Sequence, residues 1–189
     1  MNGMRVLGAI LAGGASRRFG SDKASALLAG RPLLDHVADA LRPQVDALVV
    51  CGRSWDGLET VADQPEAGLG PLGGLCGALG HALAGGFDVV LTAGCDVLPI
   101  PPDLAERLAP APAVVAGQRL LGLWPAALAP RLAQHIATVP GRALRGWIAA
   151  AGAREVVFDT AFHNINTPDV LAACAAAPGR AGSAGPRRE

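Results

Sequence analysis

Hydrophobic positions follow two alternating patterns along the chain. Helical spacing of apolar residues begins at Leu33 and continues to Val45, with Asp35, Asp39 and Arg42 on the opposite face. The same spacing predicts helices over residues 72–83, 102–108, 143–151 and 168–176. Short runs rich in branched apolar residues predict strands over residues 5–11, 47–51, 59–62, 88–93, 113–116 and 155–158. This alternation predicts an α/β fold, a three-layer sandwich in which helices pack on both faces of a mostly parallel sheet.

Chain length and composition favour one domain. A chain of 189 residues with 51% hydrophobic content suffices for one core, which we predict over residues 1–177. Residues 178–189, PGRAGSAGPRRE, contain no large apolar side chain and predict a disordered tail. Residues 67–87 lack charged side chains, but their many glycines dilute the hydrophobicity, so we expect a loop and a buried helix rather than a membrane span.

The net charge and the cysteine positions indicate which classes of partner and which cellular compartment to expect. Sixteen basic and sixteen acidic side chains cancel, so no overall field attracts nucleic acid or an anionic membrane. The four cysteines lie in apolar stretches without CxxC spacing. The N-terminal apolar run leads into glycines and arginines rather than a signal-peptide cleavage site. We expect a cytoplasmic protein with neither a nucleic-acid nor a membrane partner.

The end of the first predicted strand reads LAGGASRRFGSDK. Gly13 and Gly14 allow the backbone to turn sharply and to bring its N–H groups close to a ligand. Arg17, Arg18 and Lys23 add positive charge, which suits the binding of a polyphosphate. The alternative is a glycine turn followed by solvated basic side chains.

Two aspartates follow other strand ends. Asp96 suits a magnesium ion that bridges phosphate oxygens, or else it caps the helix predicted near residue 102. Asp63 accepts hydrogen bonds only, so it suits the ring N–H and exocyclic amine of guanine or a ribose hydroxyl. Its alternative is a turn aspartate that stabilises its own loop.

The stretch HNINTPD lies near the C-terminus. Thr167 and Pro168 are typical of a helix start. Asn164 and Asn166 are separated by one residue, so in an extended segment their amides point the same way, toward a ligand or a metal.

Several of these motifs together resemble the molybdenum cofactor guanylyltransferases, within the Rossmann-like, nucleotide-diphospho-sugar transferase-like nucleotidyltransferases. The resemblance covers about residues 5–175. It rests on LAGG at 11–14, Arg17-Arg18, Asp22-Lys23, GPLGG at 70–74, Cys95-Asp96 and NINTP at 164–168. It implies that GTP contacts the backbone of Leu11, Ala12 and Gly13, with Gly14 beside them. It also implies that Lys23 and Asp63 bind the nucleotide and that Asp96 holds both GTP and Mg²⁺. Cys51 stands where the family often has an asparagine that helps to bind the nucleotide.

The resemblance also implies a reaction, in which the terminal phosphate of molybdopterin or molybdenum cofactor attacks the α-phosphate of GTP and pyrophosphate leaves. Arg17, Lys23 and Asp96 are then the catalytic residues, with Asn164 and Asn166 on the acceptor side. The partners implied are GTP, molybdopterin or molybdenum cofactor, and molybdoenzymes or their chaperones. Two alternatives stay open: transfer from CTP or to a different phosphate acceptor, and a protein that binds nucleotide or cofactor without turnover.

Overall fold

A computed structural model describes residues 3–13, 23–139, 141, 143–165 and 170. Its eleven strands, counted within these residues, are β1 (Val6–Leu11), β2 (Leu27–Leu28), β3 (Arg31–Pro32), β4 (Ala47–Cys51), β5 (Glu59–Val61), β6 (Val89–Gly94), β7 (Val97–Leu98), β8 (Ala113–Val115), β9 (Gln118–Pro125), β10 (Arg154–Val156) and β11 (His163–Asn164). The helices are α1 (Leu33–Leu41), α2 (Pro71–Ala84), α3 (Leu104–Leu108), α4 (Ala129–Thr138) and α5 (Leu144–Ala151).

Seven strands form one sheet in the order β10-β8-β9-β6-β1-β4-β5. β1 lies beside the central strand β6 and pairs in parallel with β4 and β6, and β4 pairs in parallel with β5. The pair β8 and β10 is also parallel, whereas β9 runs antiparallel to both β6 and β8. The predicted mostly parallel sheet is therefore confirmed, and all six predicted strands are present within two residues of their expected bounds.

Helices cover both faces of the sheet, which confirms the three-layer sandwich. One core cluster packs α1 and α3 against the sheet through residues such as Leu34 and Leu104. The other packs α2, α4 and α5 through residues such as Leu75, Leu132 and Trp147. Successive side chains of a strand point to opposite faces, so β1 contributes to both clusters.

Four predicted helices within the described part of the chain have counterparts, and α2 is the buried helix expected after the glycine-rich loop. Two longer elements were not predicted, the strand β9 and the helix α4, and neither were the two-residue strands β2, β3, β7 and β11. The predicted helix over 168–176 and the tail over 178–189 lie outside the described residues, Val170 excepted. Within the described part, no helix has both the length and the apolar character required to span a membrane.

The carboxyl ends of the parallel strands β1, β4, β5 and β6 meet at one edge of the sheet. Ligands bind at this edge in open α/β sheets. A short antiparallel pair, β7 with β11, extends the edge beyond β6. The backbone N–H of Ile165 donates to the carbonyl oxygen of Asp96 over 2.9 Å, which attaches the C-terminal segment to the end of β6.

Candidate active site

Lys23 and Asp96 meet at this edge of the sheet. Lys23 begins a short 3-10 turn, Lys23–Ser25, and Asp96 follows β6 after one intervening residue. The Lys23 ammonium donates to Asp96 Oδ2, and the two side chains are only 13% and 17% exposed. Two of the residues predicted to bind nucleotide are therefore in direct contact. The alternative helix-capping role of Asp96 is wrong, because α3 begins at Leu104 with Asp103 at its N-cap position.

The surroundings of Asp96 fit a magnesium ion that is held largely by its substrate. Within the described residues, no group of three or more His, Cys, Asp or Glu side chains could hold a metal ion. Mg²⁺ commonly takes one or two carboxylates together with phosphate oxygens and water, so the single carboxylate of Asp96 is a sufficient protein ligand. Lys23 engages Oδ2, which leaves Oδ1 as the other donor atom.

Gly94 provides the space that the Asp96 carboxylate occupies. A Cβ at Gly94 would lie 2.8 Å from Asp96 Oδ1 and 2.8 Å from Leu120 Cδ1. Leu120 belongs to β9, which runs back past the end of β6. An apolar side chain thus lies close to the proposed metal ligand, at a position that sequence reasoning missed because β9 itself was not predicted.

Asp63 lines a cavity of about 630 Å³ beside the end of β5. Gly13, Gly52, Arg53 and Gly68 are among the other lining residues. Asp63 Oδ1 is buried and has no hydrogen-bond partner. Burial raises the pKa of the Asp63 carboxyl above its usual range, and a hydrogen bond from the Gly68 backbone opposes the rise. A buried acceptor without a donor at a cavity wall suits a ligand that brings its own N–H groups.

Two strand ends approach each other closely at the mouth of this cavity. A Cβ at Gly52 would lie 2.4 Å from Gly13 Cα, and Gly52 has a φ of +81°. A Cβ at Gly13 would lie 3.1 Å from Gly52 Cα and 3.3 Å from Asp63 Oδ2. Glycine is therefore required at Gly52, where a side chain would separate β1 from β4, whereas a side chain at Gly13 would require a shift of a few tenths of an ångström in Gly52 or Asp63.

The Leu11 side chain and the Ala12 backbone N–H are already engaged within the protein. The Leu11 side chain is only 8% exposed and belongs to the core, so contact with a ligand falls to its backbone. The N–H of Ala12 donates to the carbonyl oxygen of Cys51 over 3.1 Å, so this donor already has a partner.

Cys51 is fully buried and is not among the residues that line the cavity. A Cβ at Gly74 would lie 3.3 Å from Cys51 Cβ, which places the thiol against α2. Burial raises the pKa of this thiol to about 12, and the charge of Asp63 adds to the rise. Cys51 therefore acts as a small core hydrophobe, and the polar residues that line the cavity from this strand end are Arg53 and Ser54.

The charges around Asp96 affect the pKa of the neighbouring Cys95 thiol. Burial raises the pKa of the Cys95 thiol to about 11 and Asp96 adds to the rise, whereas the positive charges of Lys23 and Arg53 act against it. Two cations therefore lie near the end of β6. Arg53 belongs to no motif, and its signal in the sequence is a basic residue that follows the second predicted strand after one glycine.

The remaining predicted residues are placed in part. Asn164 lies in β11 opposite Val97 and is exposed, one residue before the Ile165 contact with Asp96. The backbone thus carries Asn164 to the same strand end as Asp96. Gly14, Arg17 and Asn166 lie outside the described residues.

Residues 8–157 match the family described as the MobA-like NTP transferase domain. The chain belongs to this family. It is 40% identical over 184 residues to a molybdenum cofactor guanylyltransferase of Cereibacter sphaeroides, an alignment that covers 89% of this chain and 95% of the relative.

Two solved structures support the same fold. Molybdopterin-guanine dinucleotide biosynthesis protein A from Archaeoglobus fulgidus has a TM-score of 0.68 at 22% identity, with coverage of 90% of this chain and 96% of that one. A Mycobacterium tuberculosis protein solved in complex with manganese has a TM-score of 0.60 at 16% identity, with coverage of 90% and 98%. This MobA-like chain therefore shares its fold with both proteins.

Proposed function

We propose that this protein is a molybdenum cofactor guanylyltransferase, which transfers GMP from GTP to the terminal phosphate of molybdopterin or molybdenum cofactor and releases pyrophosphate. The observation that carries the proposal is the contact of Lys23 with Asp96 at the sheet edge where Asp63 lines a cavity. The similarity to a curated guanylyltransferase over most of both chains supports the choice of nucleotide and acceptor.

The cavity beside Asp63 is the site that we assign to the guanine base. A carboxylate with a buried, unpartnered oxygen is matched by the ring N–H and the exocyclic amine of guanine, which donate side by side. A cytosine ring presents a ring nitrogen that accepts a hydrogen bond at the corresponding edge, so it would leave Asp63 poorly satisfied. Gly13 lines this cavity, and we propose that the backbone of residues 11–14 approaches the ribose and the phosphates.

Lys23 and Asp96 are the centre of the proposed phosphate site, with Arg17 as a third catalytic residue. Lys23 holds the β- and γ-phosphates and stabilises the charge on the departing pyrophosphate. Asp96 is the residue that would hold Mg²⁺, which would supply positive charge to neutralise the phosphates. The Lys23 contact fixes the orientation of the Asp96 carboxylate before the nucleotide arrives.

The acceptor needs positioning rather than activation. A phosphate monoester is already ionised near neutral pH, so the protein needs no general base. Catalysis then comes from the alignment of two anions and from the reduction of their repulsion. Asn164, together with Asn166, is proposed to orient the acceptor, because β11 brings this segment to the end of β6.

Cellular context is part of the proposal. We propose a cytoplasmic location, since the three described cysteines are free thiols that a reducing compartment would preserve. Molybdoenzymes or their chaperones are the proposed recipients of the product.

The test is pyrophosphate release from GTP and, separately, from CTP, in the presence of Mg²⁺ and molybdopterin. We expect release from GTP, loss of that release in Asp96→Asn, and little release from CTP. Equal or greater release from CTP would overturn the guanine assignment. Tight GTP binding without pyrophosphate release would favour a binding protein over an enzyme.

A further inference from the structure

We infer that Arg53 binds the triphosphate of the nucleotide as a second cation, acting with Lys23. The inference rests on the proposed function in one respect only, that the ligand of this site is a nucleoside triphosphate. Three geometric features of Arg53 carry it: its place at the cavity wall, the ring that supports its side chain, and its position directly after Gly52, which contacts Gly13.

The position of Arg53 follows from the close approach of two strand ends. Gly52, which contacts Gly13 through the backbone, immediately precedes it. Arg53 lines the same cavity as Asp63. A ligand in this cavity therefore meets an acceptor and a cation from two adjacent strand ends.

Trp55 supports the Arg53 side chain. The guanidinium carbon lies 5.5 Å from the centre of the Trp55 ring, within the range of a cation–π contact. The ring itself is held in place, because its Nε1–H donates to Asp35 Oδ1 over 2.8 Å. The guanidinium is thus partly ordered before a ligand binds, which lowers the entropy lost on binding.

Arg53 also lies next to the backbone that we assign to the phosphates. Gly13 lines the cavity together with Arg53, and Gly52, the residue before Arg53, contacts Gly13. A nucleotide with its base beside Asp63 and its phosphates along residues 11–14 would therefore meet Arg53.

The charge balance of the site explains why a second cation is useful. Lys23 already neutralises Asp96, so this pair alone adds no net positive charge for a triphosphate. The guanidinium of Arg53 presents paired N–H donors that match two phosphate oxygens. We therefore expect the contribution of Arg53 to depend on the phosphates of the ligand and not on its base.

The experiment is calorimetric binding of GTP, GDP, GMP and guanosine to wild type, Arg53→Gln and Arg53→Lys in the presence of Mg²⁺. The matched control is Arg42→Gln, which removes an exposed guanidinium that lies 4.0 Å from Asp39 and does not line the cavity. We expect Arg53→Gln to weaken GTP binding by about tenfold to a hundredfold, with guanosine binding unchanged. Arg53→Lys should recover part of the loss, and Arg42→Gln should bind like wild type.

Three outcomes would overturn the inference. One is unchanged GTP binding by Arg53→Gln in a variant whose thermal unfolding matches wild type. Another is an equal loss for GTP and guanosine, which would mean that Arg53 shapes the cavity through Trp55. The third is a wild type that binds neither the guanine series nor the same series built on cytidine, which would overturn the proposed function as well. If only the cytidine series binds, the guanine assignment fails while the phosphate-dependent loss in Arg53→Gln still decides the role of Arg53.

Discussion

The Lys23 ammonium contacts the Asp96 carboxylate across 73 residues of sequence, and both side chains are largely buried. The contact ties the segment after β1 to the end of β6. Removal of one partner leaves the other charge in a poorly solvated place, whereas removal of both does not. The pair is therefore a structural link as well as the centre of the proposed phosphate site.

We expect Lys23→Ala and Asp96→Asn each to lower pyrophosphate release by at least about a hundredfold, the usual effect of losing a group that stabilises charge in the transition state.

We also expect the destabilisations caused by Lys23→Ala and by Asp96→Ala to add up to more than the destabilisation of the double variant. A double-mutant cycle measured by urea unfolding tests this point. Strictly additive effects on unfolding would show that the two side chains do not interact.

Gly94→Ala should displace the Asp96 carboxylate or the Leu120 side chain. The new methyl group would lie 2.8 Å from both Asp96 Oδ1 and Leu120 Cδ1, so one of these side chains must move. We expect a loss of transfer activity of about tenfold or more if the carboxylate moves, since small displacements of catalytic groups are costly.

The double variant Gly94→Ala/Leu120→Ala is the control for this prediction. The smaller side chain at position 120 leaves room for the new methyl group, so the double variant should recover part of the transfer activity that Gly94→Ala loses. Full activity in Gly94→Ala alone would show that the carboxylate position is not critical.

Two glycines of α2 should respond oppositely to the same substitution. Gly77 packs so closely that a Cβ would lie 2.2 Å from the carbonyl oxygen of Ala62, whereas a Cβ at Gly80 would meet nothing within 4 Å. Gly80→Ala should stabilise the protein by about 0.5–1 kcal/mol through helix propensity alone. Gly77→Ala should destabilise it, because backbone atoms cannot yield as a flexible side chain can.

The two variants are compared by urea unfolding. Ala62 precedes Asp63, so Gly77→Ala should also weaken GTP binding, while Gly80→Ala should leave binding unchanged. A stabilising Gly77→Ala would contradict the close packing of α2 against this strand end.

Asp63→Asn should weaken GTP binding and should increase the stability of the folded protein at neutral pH. Burial raises the pKa of Asp63 in the folded protein, so the folded state disfavours the ionised carboxyl. The wild type therefore loses stability as pH rises from the ordinary aspartate pKa, near pH 4, through the raised value. The neutral amide of Asn has no such dependence, so the variant should gain stability relative to wild type as pH rises and should bind GTP more weakly.

Urea unfolding at acidic and neutral pH, combined with GTP titration, checks both parts. A stability difference between variant and wild type that stays constant across this range would mean that Asp63 titrates normally in the folded protein. Unchanged GTP affinity would remove Asp63 from the proposed base site.

Local patterns were enough for most of the fold. The six predicted strands and four helices could be recognised because apolar runs and helical spacing are properties of neighbouring residues. β9 was missed because its second half, Leu121–Trp124, is buried without alternation, a consequence of its place between β6 and β8. α4 was missed because its apolar face is narrow and only Ala129 and Leu132 are buried.

By itself, the sequence determined the α/β class, the family through its short motifs, and the strand ends at which Asp63 and Asp96 stand. Only the tertiary structure decided that Lys23 contacts Asp96, that Cys51 faces the core and that Arg53 lines the cavity. Hydrophobic periodicity is set by neighbours in the chain and can be read locally. The contacts of a side chain after a strand end depend on how distant strands are ordered and on which backbones approach closely, as those of Gly13 and Gly52 do.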